Sequence, residues 1–115
     1  MELYLDTADV AAVRRWSRIL PLAGVTTNPS LYAKTGGKLA DFEDHMVKIC
    51  KLCEGLPVSA ESQAKTTEGM IADGERLAAL APNIVVKLPI CEESLPATHT
   101  LAKEGIRVNM TLVFS

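Results

Sequence analysis

The sequence has 115 residues, enough for one ordinary domain, and 48% of them are hydrophobic, enough to form a core. Its net charge of −2 and its scattered basic residues give no sign of a nucleic-acid or membrane partner. No apolar run approaches the roughly 20 residues of a transmembrane helix. The N-terminal segment MELYLDTADV has acidic residues and no basic one, so we expect no secretory signal. With three cysteines, an odd number, the simplest expectation is reduced thiols in the cytoplasm.

Short apolar runs alternate with helical patterns along the chain. Strands are predicted at Leu3–Asp6, Ala23–Thr27, Pro57–Glu61, Ile84–Pro89 and Arg107–Phe114. Helices are predicted from a cap at Thr7 to Leu20, in a short turn after Asn28, from Leu39 to Cys53, from about Thr67 to Ala81 and from about Ser94 to Glu104. This alternation predicts the α/β class, with a parallel sheet and right-handed crossovers. An open doubly wound sheet and a TIM barrel both fit, and both place their sites at the carboxyl ends of the strands.

Polar side chains stand at those carboxyl ends in all five predicted strands. They are Asp6, then Thr26, Thr27 and Asn28, then Ser59, Glu61 and Ser62, then Lys87, and finally Asn109 and Thr111. A single Asp or Thr at a strand end is ordinary. Five strands that bring such groups to one edge favour a functional site there.

Lys87 interrupts the apolar run IVVKLP, which is typical of a strand buried on both faces. It could be a strand-end lysine whose amine reaches solvent. Alternatively, burial makes the neutral amine easier to form, and a neutral amine can attack a ketone to give a Schiff base. Asp6 could then accept a hydroxyl proton and Glu61 could exchange protons through a water. The local run leaves both interpretations open, and the two carboxylates in phase favour the catalytic one.

Four segments carry a resemblance to a known family. LYLDTADV, LAGVTTNPSL, IVVKLP and VNMTLVFS resemble, in order, the motifs of transaldolases, especially the small subfamily that includes fructose-6-phosphate aldolase. The resemblance covers essentially all of the chain. It implies a (β/α)8 barrel, of which residues 1–115 would form a single partial domain with the first five β/α units.

The resemblance also implies a role for each matching residue. Lys87 becomes the Schiff-base lysine, Asp6 the general base at the breaking bond, and Glu61 the acid/base that works through a water. Substrate binding falls to Asn28 and Asn109, which would hold a dihydroxyacetone-like unit, with support from Thr26 and Thr111. No cofactor and no metal are expected, and the expected ligands are sugar phosphates.

Two positions separate the subfamilies within that resemblance. The aldolase branch typically has Gln where this chain has Glu61, and it lacks the amide of Asn109. The pattern here therefore implies transfer of a dihydroxyacetone unit from a ketose phosphate to an aldose phosphate, as in the pentose phosphate pathway. Aldol cleavage of the fructose-6-phosphate aldolase type is the close alternative.

The chain departs from the family in length, because the family barrel has roughly 200 residues or more. The last three strands, and the later Ser and Arg positions that bind the substrate phosphate in the family, are expected to be missing. The first and fifth strands would then have an open side, which predicts a homo-oligomer or pairing with a complementary half-barrel fragment. A further alternative is a truncated, non-catalytic barrel fragment or assembly module.

Cys50 and Cys53 form a CxxC pair with His45 upstream, which raises a competing metal or redox function. A structural zinc site normally combines two such half-sites, and the sequence has no second one. A redox CxxC gains its reactivity at a helix N-terminus, whereas this pair lies near the end of a helical pattern. We therefore interpret both as ordinary helix cysteines.

Overall fold

The structure is a computed structural model, and it describes residues 3–7, 9–20, 22–27, 32–33, 36, 38 and 41–111. At Leu3, Asp6 and Thr111 it describes the backbone alone. The strands are β1 Leu3–Asp6, β2 Leu22–Thr27, β3 Val58–Glu61, β4 Ile84–Pro89 and β5 Val108–Thr111. The helices are α1 Val10–Ile19, α2 Phe42–Leu52, α3 Thr67–Ala78 and α4 Ser94–Lys103. In the short helical turn predicted after Asn28, Tyr32 and Ala33 are helical and the other residues lie outside the described ones.

The five strands form one sheet in the order β1-β2-β3-β4-β5, and every neighbouring pair is parallel. This order distinguishes the two folds that the sequence left open. A doubly wound sheet reverses its strand order at a switch point, whereas the strands of a TIM barrel follow one another in sequence. The architecture is therefore that of the first five β/α units of a TIM barrel.

One face of the sheet packs against the helices. Its residues alternate along the strands, as the two-residue period of a strand requires, and Val25, Val58 and Val86 are fully buried. They join one core cluster with residues from all four helices, including Val13, Met46, Ile49, Met70, Leu77, Ala97 and Leu101. The helices thus form a single layer against this face, and we call it the helix face.

Local signals set the ends of several helices. Asp9 caps α1 through a side-chain oxygen that accepts from the Ala11 N–H at 3.0 Å. The prediction that Thr7 is the cap was wrong. Its hydroxyl accepts from the Asp9 N–H at 3.1 Å and so stabilises the turn before the helix. Thr66 caps α3 by accepting from the Gly69 N–H at 3.0 Å. Gly105, with φ at +80°, follows the end of α4, where a side chain would be strained.

The Asn83 side chain ties the end of α2 to the start of β4. Its amide nitrogen donates to the carbonyls of Cys50 at 3.1 Å, Cys53 at 3.3 Å and Leu56 at 3.0 Å. The Asn83 carbonyl in turn accepts from the Val58 N–H at 2.9 Å, which places β3 beside β4. Among the helices that the structure describes, none is long and apolar enough to cross a membrane.

Candidate functional site

The second face of the sheet, which we call the open face, carries part of the polar set singled out in the sequence: Thr26, Ser59, Glu61, Lys87 and Asn109. Thr27, by contrast, is fully buried on the helix face. Glu61 of β3 is in register with Lys87 of β4, which is in register with Asn109 of β5. Neighbouring strands lie about 4.8 Å apart, so the backbones of these three residues span roughly 10 Å. An acid, an amine and an amide therefore form one row across three strands, and this row is the centre of the candidate site.

A second row lies one pleat closer to the amino ends of the strands. Asp6 of β1 is in register with Thr26 of β2, and Thr26 is in register with Ser59 of β3. Since Ser59 precedes Glu61 by two residues, the two rows are about 6.6 Å apart along the strands. The backbone thus places Asp6 and Thr26 in the row adjacent to the one that contains Lys87.

The remaining predicted residues flank these rows or lie outside the description. Thr111 is in register with Pro89, one pleat beyond the Lys87 row. Asn28 lies outside the described residues. Sheet register therefore brings together the backbone positions of six of the seven predicted site residues.

Lys87 is only partly buried, and this corrects the expectation of a strand enclosed on both sides. Glu61 and Thr26 are partly buried as well, and Asn109 is exposed. The physical reason is that the described residues place a helix layer over one face of the sheet alone. Leu88, the next residue on the helix face, is fully buried. This part of the fold therefore leaves Lys87 partly accessible to water.

A groove of about 450 Å³ lies on the open face toward the amino ends of the strands, and its lining residues include neither Lys87 nor Glu61. Its walls include Ser59, Val85 and Asn109, together with Tyr4 and Arg107 at its amino-end side. Its volume is in the range of small-molecule sites. Sequence reasoning did not single out Tyr4 and Arg107, which line this groove, although the two-residue strand period places both positions in phase with the predicted site residues.

Ser62, which follows β3 directly, links the Lys87 row to the helix layer. Its N–H donates to the Lys87 carbonyl at 3.1 Å, and its hydroxyl donates to Oδ2 of Asp73 on α3 at 2.8 Å. The side chain is almost fully buried. The sequence showed Ser62 at the strand end but gave no signal of its partner, because the contact depends on how α3 packs.

Cys50 and Cys53 do not have the surroundings of a redox pair. Cys50 is buried on the core side of α2, and Cys53, the residue that follows the helix, is buried as well. Burial, and then the neighbouring Cys53, raise the pKa of the Cys50 thiol to about 11, and burial also raises the pKa of Cys53. A reactive CxxC needs a lowered pKa, so these shifts argue against a redox function. Over the part of the chain that is described, no group of three His, Cys, Asp or Glu residues could hold a metal ion.

Comparisons with known proteins point in one direction. Residues 3–115 match the sequence model of the family described as "Transaldolase/Fructose-6-phosphate aldolase". A protein of Clostridium perfringens (strain 13 / Type A) named "Probable transaldolase" is 47% identical over 115 residues. Proteins with the same name from Thermus thermophilus and Clostridium botulinum are 52% identical over 121 positions and 46% identical over 115. All of the chain is covered each time, but it spans only 52%, 54% and 51% of these proteins, about half their length.

Proposed function

This chain belongs to the transaldolase/fructose-6-phosphate aldolase family, and we propose that its open face contributes to a Schiff-base site. The proposed reaction transfers a three-carbon dihydroxyacetone unit from a ketose phosphate to an aldose phosphate. The observation that carries the proposal is the row in which Lys87 stands between Glu61 and Asn109 on the face away from the helix layer. This arrangement offers a nucleophile, a proton-exchanging group and a hydrogen-bonding amide to one small molecule.

In the proposed reaction the Lys87 amine attacks the ketone carbon of the donor sugar. The resulting carbinolamine loses water to give an iminium ion, and that step needs a group that delivers and removes protons. Glu61, one strand away and in register, is suited to this role, directly or through a water. Asn109, on the other side of Lys87, is suited to hydrogen-bond the sugar hydroxyls.

The iminium ion then serves as an electron sink for carbon–carbon cleavage. We propose that Asp6 accepts the proton of the hydroxyl next to the breaking bond, so that an aldehyde leaves and an enamine stays on Lys87. Attack of the enamine on an acceptor aldehyde forms the new carbon–carbon bond, and hydrolysis of the iminium returns the free amine. Thr26 is in register with Asp6 and could support this end of the site. Asn28 and Thr111 enter the proposal by resemblance to the family alone.

Simple aldol cleavage is the second candidate, and the partial exposure of Lys87 favours it. An enamine that water can reach is protonated by solvent instead of attacking an acceptor aldehyde. The ratio of transfer to cleavage therefore depends on how well the open face is covered. We expect Glu61→Gln to shift that ratio toward cleavage, and an unchanged ratio would argue against a role for Glu61 in setting it.

Borohydride reduction in the presence of a ketose phosphate, followed by mass spectrometry of peptides, tests the mechanism. We expect a three-carbon adduct on Lys87, no adduct in Lys87→Met, and an unchanged adduct in Lys103→Met, a matched change on α4. Asp6→Asn should still form the Schiff base but accumulate the adduct of the whole sugar, because cleavage is slowed. An adduct on a different residue, or none on a chain that is extended to the length of its relatives and shown to be folded by circular dichroism, contradicts the assignment of Lys87.

We also propose that the sheet pairs with another chain. In the described structure β1 and β5 are the two edges of the sheet, and each pairs with one neighbouring strand. Unpaired strand edges act as templates for further pairing. The partner would be a second copy or a complementary half-barrel. Analytical ultracentrifugation at micromolar concentration should show an assembly larger than a monomer, and a compact monomer would contradict this proposal.

A further inference from the structure

Ser62 is held at both its backbone and its side chain. Its N–H donates to the carbonyl of Lys87 at 3.1 Å. Its hydroxyl donates to Oδ2 of Asp73 at 2.8 Å and accepts from the N–H of Ala64 at 3.2 Å. Only 4% of the residue is exposed, so water does not compete effectively for these bonds. A short hydrogen bond to a carboxylate is also among the stronger kinds.

Asp73 is itself anchored within the helix layer. Its other carboxylate oxygen, Oδ1, lies 3.0 Å from the Arg76 guanidinium one turn further along α3. Arg76 also contacts the Glu43 carboxylate on α2. The Ser62 hydroxyl is therefore connected, through one carboxylate and one guanidinium, to two helices that pack on the far side of the sheet.

Glu61 lies directly between two positions that this arrangement holds in place. On one side Ala60 is fully buried and in register with Val86. On the other side Ser62 is bonded to the backbone of Lys87 and to α3. We propose that Ser62 and Asp73 are positioning residues that hold Glu61 in register with the amine-bearing Lys87, an inference that rests on the proposed Schiff-base function.

The consequence lies in the rate of Schiff-base formation. Lys87 keeps its amine when the Ser62 hydroxyl is lost, so the adduct can still form. Proton exchange by Glu61 requires hydrogen-bond reach, and a displacement of about 1 Å at such a group lowers rates by up to roughly a hundredfold. Loss of the hydroxyl should therefore slow formation of the adduct and leave its final yield unchanged.

Three single variants, the Ser62→Ala/Asp73→Ala double variant and one matched control test this inference in the full chain. Ser62→Ala removes the donor, Asp73→Ala removes the acceptor, and Asp73→Asn keeps an acceptor oxygen and is the mildest change. The control is Ser94→Ala. Ser94 is fully buried, and its hydroxyl, like that of Ser62, makes two bonds: it accepts from the Cys91 N–H at 3.1 Å and donates to the Cys91 carbonyl at 2.9 Å.

Two measurements are made on each variant: amide hydrogen exchange at residue 62, and the rate of borohydride-trapped adduct on Lys87 with a ketose phosphate. For Ser62→Ala and Asp73→Ala we expect protection at residue 62 to fall about tenfold, the usual consequence of losing a hydrogen bond to a charged group. The trapping rate should fall about tenfold with full final yield. Asp73→Asn should restore most of the protection and most of the trapping rate. The double variant should lose less than the sum of the two single losses, because Ser62 and Asp73 share one hydrogen bond, although Ser62 also accepts from Ala64 and Asp73 also contacts Arg76.

The outcomes distinguish a failure of the positioning role of Ser62 and Asp73 from a failure of the proposed Schiff-base function of Lys87. If Ser62→Ala changes the trapping rate no more than Ser94→Ala does, the positioning role is overturned while the Schiff-base function stands. Additive effects in the double variant overturn it as well, because Ser62 and Asp73 would then act independently. If the unchanged protein forms no adduct on Lys87, the proposed function fails, and the positioning role fails with it for that separate reason.

Discussion

Val85 and Val86 are adjacent on β4, yet they belong to different environments. Val86 is fully buried on the helix face between neighbouring strands and the helix layer. Val85 is partly exposed on the open face, where it is in register with Ser59 and lines the groove. Since side chains alternate along a strand, a shift of one position changes the neighbours completely. The same short strand thus contributes one set of residues to the core and the other set to the candidate site.

Charge follows the same division. The helix face contributes apolar residues to the core cluster, whereas the open face carries Glu61, Lys87 and Arg107. A charge is costly in a dry core unless it is paired, but it is inexpensive beside a groove that water can enter. The charged residues of a strand can therefore be assigned to a face before any function is known.

The largest loss of stability should come from placing a charge on the helix face, and the same change on the open face serves as its control. Val86→Asp buries an unpaired carboxylate in the core and should lower the free energy of unfolding by about 4 kcal/mol or more, enough to unfold a small domain. Val85→Asp is the matched change on the open face and should cost less than about 1 kcal/mol. Urea unfolding followed by circular dichroism gives both values. Equal losses would mean that the open face is as dry as the helix face.

The strands whose bounds were predicted correctly are those whose ends are set by neighbouring residues in the sequence. β1 and β4 agree with the predicted ranges Leu3–Asp6 and Ile84–Pro89 at both ends. Each is a compact run that is mostly apolar, and the signals that set its ends are local. α3 ends at Ala78, three residues before the prediction, because the chain turns at Ala79 and Leu80 before Pro82 is reached. Strand β3 starts at Val58 and not at Pro57, which lacks the N–H that a ladder requires.

The closeness of the candidate site residues was predictable because the carboxyl ends of neighbouring parallel strands meet at one edge of the sheet. Glu61 ends β3 and Lys87 lies two residues before the end of β4, and the two are in register. The exposure of Lys87 could not be predicted, because it depends on what covers the open face and not on the strand itself. The Ser62–Asp73 contact joins residues eleven positions apart on a strand end and a helix, so it depends on the rotation of that helix.

A second, smaller effect should appear at high pH in the core cluster, where Cys50 of α2 is buried. Unfolded Cys50 loses its proton near its ordinary pKa of 9.0, whereas burial raises the folded pKa to about 11. The raised pKa therefore contributes stability that is fully present below pH 9 and is lost as pH rises through 11. The two-unit difference corresponds to roughly 2–3 kcal/mol.

The measurement is urea unfolding of the unchanged chain and Cys50→Ala at pH 8 and pH 11. The cost of the cavity left by Ala is the same at both pH values, so it cancels in the comparison. The unchanged chain should lose more stability between the two pH values than Cys50→Ala does, and Cys91→Ala, at a partly exposed thiol, is the control. Identical pH dependence in the unchanged chain and Cys50→Ala would show that the buried thiol does not contribute.

The smallest effect concerns a helix end, where the stabilising bond is local and independent of both faces. Thr66 caps α3 with one hydrogen bond to the Gly69 N–H, and Thr66 itself is exposed. Thr66→Ala should lower the free energy of unfolding by about 1 kcal/mol, whereas Thr66→Ser keeps the oxygen and should cost a few tenths at most. Neither change should alter trapping on Lys87, because α3 keeps its core contacts through Met70 and Leu77. A Thr66→Ala variant that is destabilised as much as Val86→Asp would mean that α3 depends on its cap more than on its packing, and the helix face would then owe its order to local signals.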